Sequence, residues 1–280
     1  MKKNRCADTL TCLAVRALLC EAAITPKPGL VDARNSGAHE DMDLFTFLDS
    51  ASALIPYFRN IVCETWTYAG PLEDLIHVLQ PIGVQAERDM FAVTKGVNTH
   101  KGAIFSLGIL CAAAARLTRD GVTLMPEELM QISAAIAKGR ARTADQHETN
   151  GARVYAEHGL HGILGEAAAG FPHVFYVALP TLRTRLQAGD SLQTAGVAAL
   201  LHLIAVVDDT NIIARAGLGE LRRIQAEVSA NLAVCSDGAA YLQYACVLDE
   251  TFIRRGISPG GCADLLAATL LVHSILQRRR

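Results

Sequence analysis

The stretch AGVAALLHLIAVV, residues 195–207, is apolar but for His202. Wound at 3.6 residues per turn it leaves no polar stripe to face water, so a helix here must be surrounded by protein on most sides. IFSLGILCAAAA at residues 104–115 repeats the pattern. Neither run shows the period-two alternation or the hairpin turns of a strand. Working outward, Ala- and Leu-rich helical periodicity predicts helices over 8–23, 42–66, 72–95, 100–118, 126–138, 143–158, 163–188 (interrupted near Pro172), 191–207, 209–215, 218–233, 237–255 and 260–277. Pro126 with Glu127 and Glu128 places proline at a first helical position and acids at the positive end of the dipole. Gly70-Pro71, Gly121, Gly159, Gly189 and Gly256 punctuate the rest. The expected fold is all-α: a single compact multi-helix domain over residues 1–280, with central buried helices.

The 280 residues are 51% hydrophobic and 19% charged, which excludes disorder and allows a sizeable core. A formal net charge of −2 supplies no basic field for nucleic acid. The apolar run at 195–207 is shorter than the roughly 20 residues a membrane span needs. Behind the basic start, Asp8 and Glu21 interrupt any signal-peptide core, so a cytoplasmic chain is expected, with no membrane partner. The eight cysteines form no CxxC pair and read as small hydrophobes on helix faces.

The polar residues gather in loops. In TPKPGLVDARNSGAHEDMD (25–43) two prolines frame Lys27, a rigidly presented cation, and Asp32, His39, Asp41 and Asp43 follow. Asp43 reads equally as the N-cap of the next helix. VQAERDMF (84–91) carries Glu87, Arg88 and Asp89, either a site or a solvated helix face. GVNTHKG (96–102) sets Asn98, Thr99, His100, Lys101 and Gly102 at a helix start, where a cation opposes the macrodipole unless an anion binds. The bland alternative has Thr99 capping the helix and Lys101 reaching into water. ARTADQHETNGARVY (141–155) is rich in donors, and LGEAAAGFPHV (164–174) places Glu166, a partly buried carboxylate, among small residues. VVDDTNIIARAG (206–217) puts Asp208 and Asp209 at the mouth of the most apolar helix, suited to Mg²⁺, with Asp209 also able to cap the short helix that follows. SPGGCADLL (258–266) adds Asp264 to a glycine-rich helix start. Cations, carboxylates and glycine loops in one helical protein point to a polyphosphate with Mg²⁺.

TPKPGLVD, GAHEDMD, the PIG…E.DMF segment, GVNTHKGAIFSLG, GEAAAGFP, DTN..AR.G and SPGGCADLLA occur in that order from about residue 21 to 270. This closely resembles the triphosphoribosyl-dephospho-CoA synthase family, which serves citrate lyase and malonate decarboxylase. Ala216, where relatives often have glycine, and Cys262, where many have serine, are small departures. The resemblance implies an all-α enzyme that moves the triphosphoribosyl part of ATP onto 3′-dephospho-CoA and releases adenine. The product is the precursor of the prosthetic group of an acyl carrier protein, attached later by a holo-ACP synthase. On that reading Lys27, Asn98, Thr99, Lys101, Gly102 and Arg215 meet the ATP phosphates. Asp208 and Asp209, with Asp32 or Asp89, hold Mg²⁺. Glu166, or else Asp41, takes the hydroxyl proton, and His100 meets adenine or a phosphate. The competing readings are a Mg²⁺-dependent ADP-ribosyl hydrolase-like N-glycosidase and a non-catalytic nucleotide-binding protein. The apolar helix faces leave room for a homodimer.

Overall fold

The computed structural model describes residues 1–139 and 150–278, and among these every regular element is helical. The chain runs α1 (Lys2–Ala23), α2 (Leu44–Ala53), α3 (Ile55–Thr67), α4 (Leu72–Val93), α5 (Lys101–Arg119), α6 (Pro126–Lys138) and α7 (Asn150–His158). It continues through α8 (Gly162–Ala168), a π-helical turn (Val174–Ala178), α9 (Leu179–Gln187) and α10 (Leu192–Ile204). The last four helices are α11 (Thr210–Ala216), α12 (Leu218–Leu232), α13 (Gly238–Arg254) and α14 (Gly260–Gln277). Most of the donor-rich loop at 141–155 lies outside the described residues, as does the first part of the helix expected over 143–158.

Several boundaries have the expected chemistry. Asp43 caps α2 in a capping box with Thr46, and Pro126 opens α6 with Glu127 and Glu128 in its first turn. Other boundaries differ. The segment read as one helix over 42–66 is two, broken at Leu54, because Pro56 starts a new helix and cannot donate to the previous turn. The interruption near Pro172 is a turn at Gly170 and Phe171, both at positive φ. A Cβ at Gly170 would meet the Met130 carbonyl oxygen at 2.7 Å, so α6 passes too close for any other residue.

Helices α5, α10 and α14 form the core. Ile109 to Ala115 are at most 2% exposed, and Ala195 to Leu201 are all buried. α14 packs on α5, α1 and α10, while α1 packs on α3. Tyr57 of α3 donates to the Ile104 carbonyl at 2.8 Å, and a Cβ at Gly108 would meet its hydroxyl at 2.0 Å. That close approach is why α5 has glycine there. α5 and α14 are long and apolar enough to cross a membrane, longer than the run at 195–207, but 72% of each apolar window is buried inside the fold. Their apolarity is used against other helices. The same packing brings the N-termini of α5 and α14 to one end of the molecule, where the polar loops meet.

Candidate active site

Lys27 is 1% exposed, and its Nζ lies 2.5 Å from Glu21 Oε1 on the last turn of α1. An ammonium has three donors, of which Glu21 takes one. Asp32 folds the loop around it. Its Oδ2 accepts the Lys27 N–H at 2.9 Å, and its Oδ1 accepts the N–H groups of Arg34 at 2.6 Å and Asn35 at 3.2 Å. Asp249 of α13 secures the loop from outside, accepting from the Gly29 N–H at 2.9 Å and from Asn35 Nδ2 at 3.0 Å. Gly29 has φ +68°, and a Cβ there would meet the Ile257 carbonyl oxygen at 2.1 Å. The PKPG frame is therefore clamped on both sides of its lysine.

The NTHKG segment enters α5 beside it. His100 occupies the N-cap position without a side-chain cap bond, and Asn98 Oδ1, two residues earlier, accepts from the Lys101 N–H at 3.2 Å, so Thr99 does not cap the helix. Thr99 donates instead to Ser50 Oγ at 2.7 Å, and Ser50 Oγ lies 2.7 Å from His100 Nδ1. His100 is 3% exposed, with the edge of Phe47 at a centroid distance of 5.0 Å. Burial, and then the charge of Lys27, push its pKa down to about 3, so the ring is neutral at any physiological pH. Lys101 Nζ pairs with Glu87 of α4 at 3.0 Å, at the surface, with both side chains about one-third exposed. Asp89, two residues further along α4, accepts from Gln85 Nε2 at 2.8 Å.

The third arm is the start of α14. A Cβ at Gly102 would lie 2.0 Å from Asp264 Oδ2, so α5 needs glycine there to admit the carboxylate. Burial together with the like charges of Glu21 and Asp209 pushes the Asp264 pKa well above the usual carboxylate range, against a hydrogen bond from the Ala103 backbone. Asp209, 1% exposed, caps α11 through the N–H groups of Asn211 at 2.8 Å and Ile212 at 3.3 Å. Its other oxygen accepts the Cys262 N–H at 2.8 Å, joining α11 to α14. The Cys262 thiol also reaches Asp209, so both the backbone and the side chain of residue 262 hold that carboxylate. Burial raises the Asp209 and Glu21 pKa values as well, in Glu21 over the opposing pull of Lys27. Glu21, Lys27, Asp209 and Asp264 thus form one coupled cluster with more acid than base, at the start of α5.

The remaining expected residues lie around it. Both oxygens of Glu166 are engaged by His173, through its N–H at 2.8 Å and Nδ1 at 2.7 Å, and that bond raises the His173 pKa. Asp208 pairs with Arg222 at 2.6 Å. Arg215 donates to the Gly256 carbonyl at 3.1 Å, and its charge, after burial, lowers the pKa of His39, which lies 2.9 Å from Ser258 Oγ. Asp41 is exposed, 3.9 Å from His39. The four carboxylates expected at Mg²⁺ therefore have four different partners. Among the described residues no group of three or more His, Cys, Asp or Glu is arranged to hold a metal. Glu21, Ser50, Asp249 and the cluster role of Asp264 were not singled out by sequence. Of these, Asp264 alone carried a sequence signal, in its glycine-rich helix start. Two open clefts, at Pro71 and Lys138 and at Leu13 and Gln277, lie elsewhere on the surface.

Comparison with known proteins makes this chain a transferase. It belongs to the ATP:dephospho-CoA triphosphoribosyl transferase family, whose description matches residues 7–280. A Pectobacterium atrosepticum protein named 2-(5″-triphosphoribosyl)-3′-dephosphocoenzyme-A synthase is 41% identical over 262 residues, 92% of this chain and 86% of its own. A Vibrio cholerae serotype O1 protein, "Probable 2-(5″-triphosphoribosyl)-3′-dephosphocoenzyme-A synthase", is 41% identical over 275 residues, 95% of this chain and 87% of its own. A Salmonella typhi relative with the same wording, numbered 1, is 40% identical over 277 residues, 94% and 89%. No solved structure matches.

Proposed function

We propose that this chain breaks the C1′–N9 bond of ATP and joins C1′ to the 2′-hydroxyl oxygen of 3′-dephospho-CoA, with adenine as leaving group and the triphosphate retained. The observation that carries this is the meeting of buried Lys27 and His100 with the partly exposed start of α5 and Asp264. Lys27 and Lys101 answer the triphosphate, with Arg215 at the rim. The amides of Lys101 and Ala103 are already taken by Asn98 and Asp264, which leaves the cations as the main phosphate partners. Glu87 holds Lys101 until phosphate replaces it.

The transition state has oxocarbenium character, so one carboxylate must take the hydroxyl proton as the bond forms. Asp264 faces the glycine gap at the α5 start, and once ionised its raised pKa makes it a stronger base than an ordinary carboxylate. Glu166 is tied to His173, and Asp41 stands in solvent. The proton lost from the hydroxyl passes to Asp264, and adenine takes up one proton as it leaves. Magnesium would enter only with the triphosphate, whose charge it would neutralise; Asp209 and Asp264 would be the cluster carboxylates to meet it, since no metal-holding group is preformed among the described residues.

The product serves as prosthetic-group precursor for the acyl carrier protein of citrate lyase or malonate decarboxylase, made in the cytoplasm where both substrates occur. The test is acceptor dependence. Adenine release from ATP and Mg²⁺ should require 3′-dephospho-CoA and match it one for one. Adenine released equally well without acceptor would make the chain a hydrolase and sink this reading.

A further inference from the structure

His100 has two ring nitrogens in different situations. Nδ1 faces Ser50 Oγ at 2.7 Å, while Nε2 is buried with no hydrogen-bond partner. Thr99 donates its hydroxyl proton to Ser50 Oγ, so the single proton of Ser50 is free to point at Nδ1. With Nδ1 as the acceptor of that proton, a neutral imidazole carries its own proton on Nε2. Ser50 is itself fully buried on α2, and no water competes for its proton. The result is a neutral N–H donor, fixed in direction, at the first turn of a 19-residue helix and within the field of Lys27. A buried donor without an acceptor costs stability, so its retention calls for a ligand. The positive helix end and the Lys27 ammonium favour an anionic acceptor over a neutral ring nitrogen.

We propose that Thr99 and Ser50 lock His100 in the Nε2–H tautomer, and that this N–H donates to a phosphate oxygen of the nucleotide bound beside Lys27. Ser50 and Thr99 are positioning residues, and His100 is a phosphate ligand and not the proton source for adenine. The inference rests on the triphosphoribosyl transfer proposed above for its nucleotide. Nε2 is out of contact with solvent, so the ligand reaches it by local opening, and in the free protein its proton should exchange slowly enough to be seen.

The test is nitrogen NMR of the histidine-labelled full chain between pH 5 and 8. The expected spectrum shows His100 protonated on Nε2 throughout, with that resonance moved by ATP and by inorganic tripolyphosphate but not by adenosine. Protonation on Nδ1, a shift with adenosine and not with tripolyphosphate, or no shift with any of them would overturn the proposal. His100→Gln, whose amide reaches about as far as Nε2, should keep tripolyphosphate affinity within roughly threefold, whereas His100→Leu and Ser50→Ala should each lose roughly tenfold. Equal affinity in all four proteins counts against it. Adenine release by the same wild-type preparation reports separately on the transfer reaction, so release without a tripolyphosphate shift removes this inference and leaves that reaction standing.

Discussion

Lys27 and Glu21 form an ion pair at 2.5 Å with side chains 1% and 4% exposed, joining the PKPG loop to the end of α1. Desolvating two charges offsets much of their attraction, so the pair contributes little net stability as a pair. Removing one partner is different. Lys27→Met leaves Glu21 buried beside Asp264 and should destabilise the fold by roughly 3–5 kcal/mol in urea unfolding. Lys27→Met with Glu21→Leu should recover most of that loss without recovering ATP binding. A double variant that still binds ATP would show that Lys27 is structural.

Lys101 and Glu87 form a pair of the opposite kind, open to water and weak. Lys101→Ala should leave the melting temperature unchanged and weaken ATP binding roughly tenfold, the effect of one charge-assisted phosphate contact. Glu87→Gln should bind ATP as tightly as the wild type or more so, since it frees the lysine. Isothermal titration separates these outcomes, and unchanged affinity in Lys101→Ala removes that residue from the phosphate site.

Asp264 gives a pH signature. Its folded pKa lies above its unfolded value of about 3.9, so below that pH both states hold the proton and nothing is lost. As pH rises the unfolded chain ionises first, and the folded state is increasingly penalised until pH passes the folded value. Asp264→Asn should therefore melt with the wild type near pH 3.5 and above it at pH 7, while losing adenine release. A stabilised, inactive variant is what a strained catalytic carboxylate implies. Full activity would exclude Asp264 as the base.

Two glycines should fail in different ways. Gly102→Ala meets a side-chain carboxylate at 2.0 Å, which can swing aside, so folding should survive and kcat should fall about a hundredfold. Gly29→Ala meets the Ile257 backbone at 2.1 Å with φ +68°, and should cost about 2 kcal/mol or more of stability. Melting and turnover measured together on both variants check the contrast.

Most of the fold was legible because it rests on local rules. Apolar helices, the Asp43 cap and Pro126 at a first helical position are each written in a few adjacent residues. The break at Leu54 was missed because the residues on either side of it keep helical periodicity. Lys27 and the NTHKG helix start were legible as places needing an anion. Their partners were not, because Glu21 reads as one more residue of α1, and Asp249 reaches Gly29 from 220 residues away. The Ser50 contact to His100 spans 50 residues and depends on how α2 lies on α4. Motif residues are local, and the groups that orient them come from packing.

Glycosyl transfer keeps the triphosphate on the sugar, so the γ-phosphate must follow the ribose. When ATP labelled at the γ-phosphate is incubated with 3′-dephospho-CoA, Mg²⁺ and the full chain, the label should appear in the CoA product, one equivalent for each adenine released. Label found in free phosphate or pyrophosphate, with ADP or AMP in place of adenine, would contradict it.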